Sequence, residues 1–127
     1  MRKAIGLVLF LLSAAFAHAG TLSSAAKSEI DALLAKLDTS ACQFYRNGSW
    51  HGGSEAKDHL RRKLDYLVAR GRIDDAEQFI EKAATKSSLS GQPYKVRCPN
   101  GDDEPSAVWL GKQLRLLRET RGPSPRP

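Results

Sequence analysis

The stretch CQFYRNGSWHGG, residues 42–53, decides between an all-helical bundle and a mixed fold. Cys42 to Tyr45 is short, aromatic-rich and bounded by turn formers, the composition of a strand. Asn47-Gly48 is a strong hairpin signal, because both residues tolerate the positive φ of a two-residue turn. Ser49-Trp50-His51 can then return as a second short strand before Gly52-Gly53. Further on, Pro93 to Cys98 is also strand-like and is expected to meet the Cys42 segment.

Around these strands the chain has helical periodicity. Ile30, Leu33, Leu34 and Leu37 fall at three- and four-residue steps, predicting an amphipathic helix over 22–37 capped by Ser23 or Ser24. A second helix is expected from an N-cap at Ser54 to Arg70, with Gly71 as its stop. Its apolar stripe is Ala56, Leu60, Leu64, Leu67 and Val68. Asp74 and Glu77 form the capping box of a third helix, which buries Ala76, Phe79, Ile80 and Ala83 and dissolves into Ser87-Ser88-Leu89-Ser90-Gly91. Pro105 opens a fourth, lined by Ala107, Leu110, Leu114 and Leu117 with Trp109 on its flank. The expected fold is α+β, mainly α: about four helices packed around a small two- or three-stranded antiparallel sheet pinned by one disulfide.

The N-terminus reads as an address. A basic Met1-Arg2-Lys3, an apolar run from Ala4 to Leu12 and a small-x-small Ala17-His18-Ala19 form the layout of a cleavable signal peptide over 1–19. The run is too short for a permanent membrane anchor, so no transmembrane segment is expected after cleavage. Residues 20–119 are expected to form one small globular domain, and the Pro- and Gly-rich residues 120–127 a disordered tail. The expected location is the periplasm.

Export shapes the reading of charge and cysteine. The chain carries a formal charge of +6, and Arg2 and Lys3 leave with the leader. The basic pI of about 9.6 favours anionic surfaces, while export argues against nucleic acid as the partner. Cys42 and Cys98 are an even pair in an oxidising compartment, so a structural disulfide is expected. Closing so long a loop is worth about 4 kcal/mol in the chain-entropy treatment.

Few constellations suggest chemistry. His51, Glu55 and His59 are spaced four apart as helical metal ligands can be, but Gly52-Gly53 separates the first from the other two, and no metal site is expected. Asp102-Asp103-Glu104 lacks the pattern of a calcium loop, and its carboxylates suit the positive end of the fourth helix. Asp74, Asp75, Glu77 and Glu81 are absorbed by capping and by a solvated face, and nothing sets two of them across a cleft. Ser87, Ser88 and Ser90 lack a nucleophile-elbow motif and read as turn residues. The least bland group is a stripe of His59, Lys63, Tyr66 and Arg70 beside the apolar face of the second helix, with Arg62 next to it. Arg46 and Asn47 reach this stripe if the sheet packs on that helix.

Four segments together resemble the YfeK-like family of small exported bacterial proteins: F-Y-R-N-G (44–48), E-A-x-x-H-L-R-x-K-L (55–64), R-I-D-x-A-E-Q-F-I (72–80) and S-S-x-S-G-x-P-Y-x-V (87–96). The likeness covers about residues 22–118. It implies an exported, mostly helical single domain of unknown function, and no reaction. Turn geometry explains Gly48, Gly91 and Pro93 in the pattern, and the core explains its apolar members. Arg46, Asn47, His59, Lys63 and Tyr94 have no such explanation.

These five are therefore the candidate binding residues of a non-enzymatic module for an anionic ligand or an envelope protein. Arg46 and Lys63 would supply charge, Asn47 and Tyr94 hydrogen bonds, and His59 further charge below about pH 6.5. No catalytic residue and no cofactor is expected. The alternative is a small hydrolase acting on an envelope polymer with His59 as general base, which needs a serine or carboxylate within hydrogen-bond reach.

Overall fold

The computed structural model describes Gly6 and residues 21–122. But for Gly6, the residues of the signal-peptide expectation lie outside the described ones; so do those of the tail expectation but for 120–122, where Thr120 ends the last helix and Arg121 caps it. In chain order the elements are α1 (Ser24–Thr39), β1 (Gln43–Arg46), β2 (Ser49–His51), α2 (Gly53–Ala69), α3 (Ala76–Ala83), β3 (Lys95–Arg97), β4 (Glu104–Pro105) and α4 (Ser106–Thr120). Four helices and an antiparallel sheet of order β2-β1-β3-β4 make the fold α+β. The sheet has four strands rather than two or three. The extra one, β4, comes from residues read as a turn and a helix start: Glu104 pairs with Val96 and Pro105 with Lys95.

The hairpin forms where Asn47-Gly48 places it. Asn47 has φ 49° and Gly48 φ 88°, the paired positive values of a two-residue turn closed by Arg46 opposite Ser49. Period-two alternation then divides the sheet. Phe44 and Val96 face the helices, and Phe44 meets Trp109 edge-on at 5.6 Å between centroids. Trp109, expected on a flank, is buried. The other face carries Tyr45 against Trp50, with Lys95 over the first ring and Arg97 over the second.

Cys42 and Cys98 are joined across 56 positions, one step beyond the Gln43–Arg97 pair that ends the β1–β3 ladder. The core is formed largely by Ile30, Leu33, Leu34 and Leu37 of α1, with Phe79, Leu110 and Val96. Across α1, α3 and α4, Arg118 forks onto Glu29 (2.9 and 3.0 Å) and also reaches Glu77, while Arg121 adds a third bond to Glu29. Glu29, with only 11% of its side chain exposed, is thus fully paired, and Arg118 above all holds both carboxyls below their ordinary range.

Three helix starts differ by local geometry. Ser23 caps α1 and accepts the Ala26 amide at 3.1 Å. Gly52, not Ser54, caps α2, and at the next position Gly53 passes so close to α1 that a Cβ there would overlap the Leu37 carbonyl. In α3 the reciprocal cap is shifted one residue from the expected Asp74–Glu77 pair. Asp75 accepts the Gln78 amide, and Gln78 reaches back to the Asp74 amide. Among the described residues no helix is long and apolar enough to cross a membrane.

Candidate functional site

Three segments meet beside the middle of α2. The β1–β2 turn brings Arg46, Asn47 and Ser49. One face of α2 brings His59, Arg62 and Lys63, and the loop after α3 brings Ser87, Ser88 and Leu89. With His51 and Tyr94 they line an open groove of about 570 Å³. All five residues expected from the sequence therefore share this wall. The other two members of the expected stripe do not: Tyr66 is 56% exposed, and Arg70 lies over its ring at 3.4 Å, away from the groove.

The loop is fastened from both sides. Lys63 Nζ donates to the Lys86 carbonyl at 2.8 Å, and Ser90 Oγ donates to Asn47 Oδ1 at 2.7 Å. Within the loop, Ser87 Oγ accepts the amides of Leu89 and Ser90, each at 3.2 Å. Ser87 is buried for that reason. The loop's composition marks it as a turn, but nothing in the sequence says that it docks 43 positions back onto the hairpin tip.

At the floor, Tyr94 stands between two α2 residues. Its hydroxyl lies 3.1 Å from His59 Nε2 and accepts from Lys63 Nζ at 3.3 Å. Burial raises the Tyr94 hydroxyl pKa and lowers that of the Lys63 amine. His59 is pushed down to about 4, first by burial and then by the charges of Arg46, Lys63, Arg62 and His51. This corrects the expectation that His59 adds charge below pH 6.5. At neutral pH it is an uncharged hydrogen-bonding group, because burial and then the surrounding cations penalise a proton there.

The groove is one-signed. Elsewhere cations face carboxylates: Lys27 and Arg61 on Asp31, Lys57 on Asp38, Arg97 on Asp103 and Lys112 on Glu104. Asp103 and Glu104, expected to suit the start of the fourth helix, each hold one of these cations as well. Among the described residues, no Asp or Glu lines the groove that holds Arg46, Arg62 and Lys63. A neighbouring niche walled by Phe44, Ala56, Leu60 and His59 has room of only about 30 Å³.

His51 Nδ1 pairs with Glu55 at 2.7 Å, and among the described residues no group of three or more His, Cys, Asp or Glu could hold a metal ion. The hydrogen-bond partner of His59 is the Tyr94 hydroxyl, neither a serine nor a carboxylate.

Fold and groove together define a small α+β domain with a basic cleft between hairpin tip, helix and serine-rich loop. Residues 24–118 match a family described as "Family of unknown function (DUF5329)", and the chain belongs to that family. It is similar to the uncharacterized protein YfeK of Salmonella typhimurium strain LT2, with 49% identity over 65 residues, 51% of this chain. The matched stretch spans 50% of that relative's length. No solved structure matches the chain.

Proposed function

We propose that the protein is exported to the periplasm by cleavage of its leader and acts there as a non-enzymatic binding module. Its groove takes an anionic ligand or an acidic segment of an envelope partner. The observation that carries this reading is the charge imbalance: Arg46, Arg62 and Lys63 line a cleft to which no carboxylate contributes among the described residues. Cations of this kind form strong charge-assisted bonds to a carboxylate or phosphate.

The test is calorimetric titration with inorganic tripolyphosphate. Lys63 is a poor probe because it also fastens the loop through the Lys86 carbonyl. The double variant Arg46→Ala/Arg62→Ala is the better one. It is expected to bind about tenfold more weakly, a difference of about 1.4 kcal/mol, with an unchanged melting temperature. Equal affinity, or no binding by the unaltered protein, rejects the groove. Mass spectrometry of cell fractions tests the location: an uncut chain in the cytosol rejects export.

The hydrolase alternative draws on one observation, an imidazole that is a free base at neutral pH. Against it, Ser87 Oγ is engaged by two loop amides. Turnover of an envelope polymer that disappears in His59→Gln, with tripolyphosphate binding intact, selects this reading.

A further inference from the structure

Leu89 is 96% exposed, against 56% for Tyr66, 51% for Leu116 and 48% for Val108. A single exposed leucine is ordinary. This one, however, stands on the lip of the basic groove, on a built turn. Ser87 Oγ accepts its amide, Gly91 N donates to the Ser87 carbonyl at 2.9 Å, and Lys63 and Asn47 anchor the loop on either side. The residues that line the cationic cleft thus also hold an apolar side chain out in water.

Building on the anion-binding reading of the groove, we propose that its occupant is the phosphate of an anionic phospholipid headgroup at a bilayer surface, with Leu89 inserting beside it. Two observations select this occupant. A protein interface of ordinary size buries roughly 800 Å² per partner around an apolar centre, and among the described residues Leu89 has no exposed apolar companion on this lip. A bilayer asks for no such complementarity: its acyl region lies just beneath its phosphates, so one apolar prong among cations suffices. The niche behind His59, at about 30 Å³, admits about one water and no acyl chain. The lipid therefore stays in its membrane and only the headgroup is gripped. This is surface docking, not lipid extraction.

Flotation of the full chain with two vesicle types tests it: phosphatidylcholine alone, and phosphatidylcholine mixed with phosphatidylglycerol. Binding is expected only with phosphatidylglycerol and is expected to weaken in high salt. Leu89→Ser and Arg46→Ala/Arg62→Ala should each weaken it about tenfold. The apolar run at residues 4–12 is common to every variant, so differences among them report the groove and the prong. If Leu89→Ser floats as well as the unaltered chain, or phosphatidylglycerol makes no difference, membrane docking is wrong. The groove reading survives that outcome provided tripolyphosphate still binds. Capture of polyglutamate in place of vesicles also overturns docking and points to an acidic protein.

Discussion

The Tyr94 hydroxyl lies 3.1 Å from His59 Nε2. Lys63, one turn further along α2, donates to the same oxygen. An ammonium can only donate, so the hydroxyl proton is free to go to His59, whose Nε2 must then be an open acceptor. Burial and the surrounding cations keep the imidazole in that neutral form. One phenol thus links the strand side of the groove to two successive turns of α2.

Tyr94→Phe keeps the ring in the core and removes this oxygen. We expect a loss of about 1–2 kcal/mol in urea unfolding, since His59 and Lys63 each lose a partner in a half-buried site. Lys63 retains the Lys86 carbonyl, so the loop stays docked. Tripolyphosphate affinity should change little. A loss as large as that of Arg46→Ala/Arg62→Ala would place Tyr94 among the ligand contacts instead.

Stability should fall with pH in two stages. An unfolded imidazole takes a proton near pH 6.5, whereas folded His59 refuses one until about 4. Across that window the unfolded chain binds more protons, so stability drops as pH falls. Below the ordinary carboxyl value of 4.5, Glu29 and Glu77 extend the loss, because folding has lowered their pKa through Arg118. His59→Gln should flatten the melting temperature between pH 6.5 and 5 and leave the acid limb intact. An unaltered upper slope in that variant would mean that another group titrates there.

Gly53 and Gly52 should respond unequally to alanine. A Cβ on Gly53 overlaps the Leu37 backbone, so Gly53→Ala must push α2 away from α1, at a cost of about 2–3 kcal/mol. Gly52 has open space and an ordinary extended backbone, and Gly52→Ala should cost less than about 1 kcal/mol. Equal midpoints for the two variants in urea would show that the helix crossing is not tight.

Removing the disulfide with Cys42→Ser/Cys98→Ser should lower stability by about 3–4 kcal/mol, most of it through a less restricted unfolded chain. The β1–β3 ladder and the core under it do not need the bridge, so the circular dichroism of the folded variant should match the parent. Loss of helical signal at low temperature would show that the bridge is required to fold.

Local patterns alone determined the four helices, the Asn47-Gly48 hairpin, the pairing of Cys42 with Cys98 and the membership of Arg46, Asn47, His59, Lys63 and Tyr94 in one candidate group. Each rests on spacing, turn preference, a count of two cysteines or a recurring motif, all of which can be read along the chain without knowing what packs against what. Tertiary structure decided the rest. β4 exists because β3 offers an open edge to Glu104 and Pro105, and residue 53 must be glycine because the α1 backbone passes too close for a Cβ. Leu89 became part of the groove wall only because Ser90 meets Asn47 across the fold. The same packing gathered three cations around His59 and took its charge away, since burial and like charge both penalise a proton there. No spacing along a chain encodes that field, which depends on what lies across the groove.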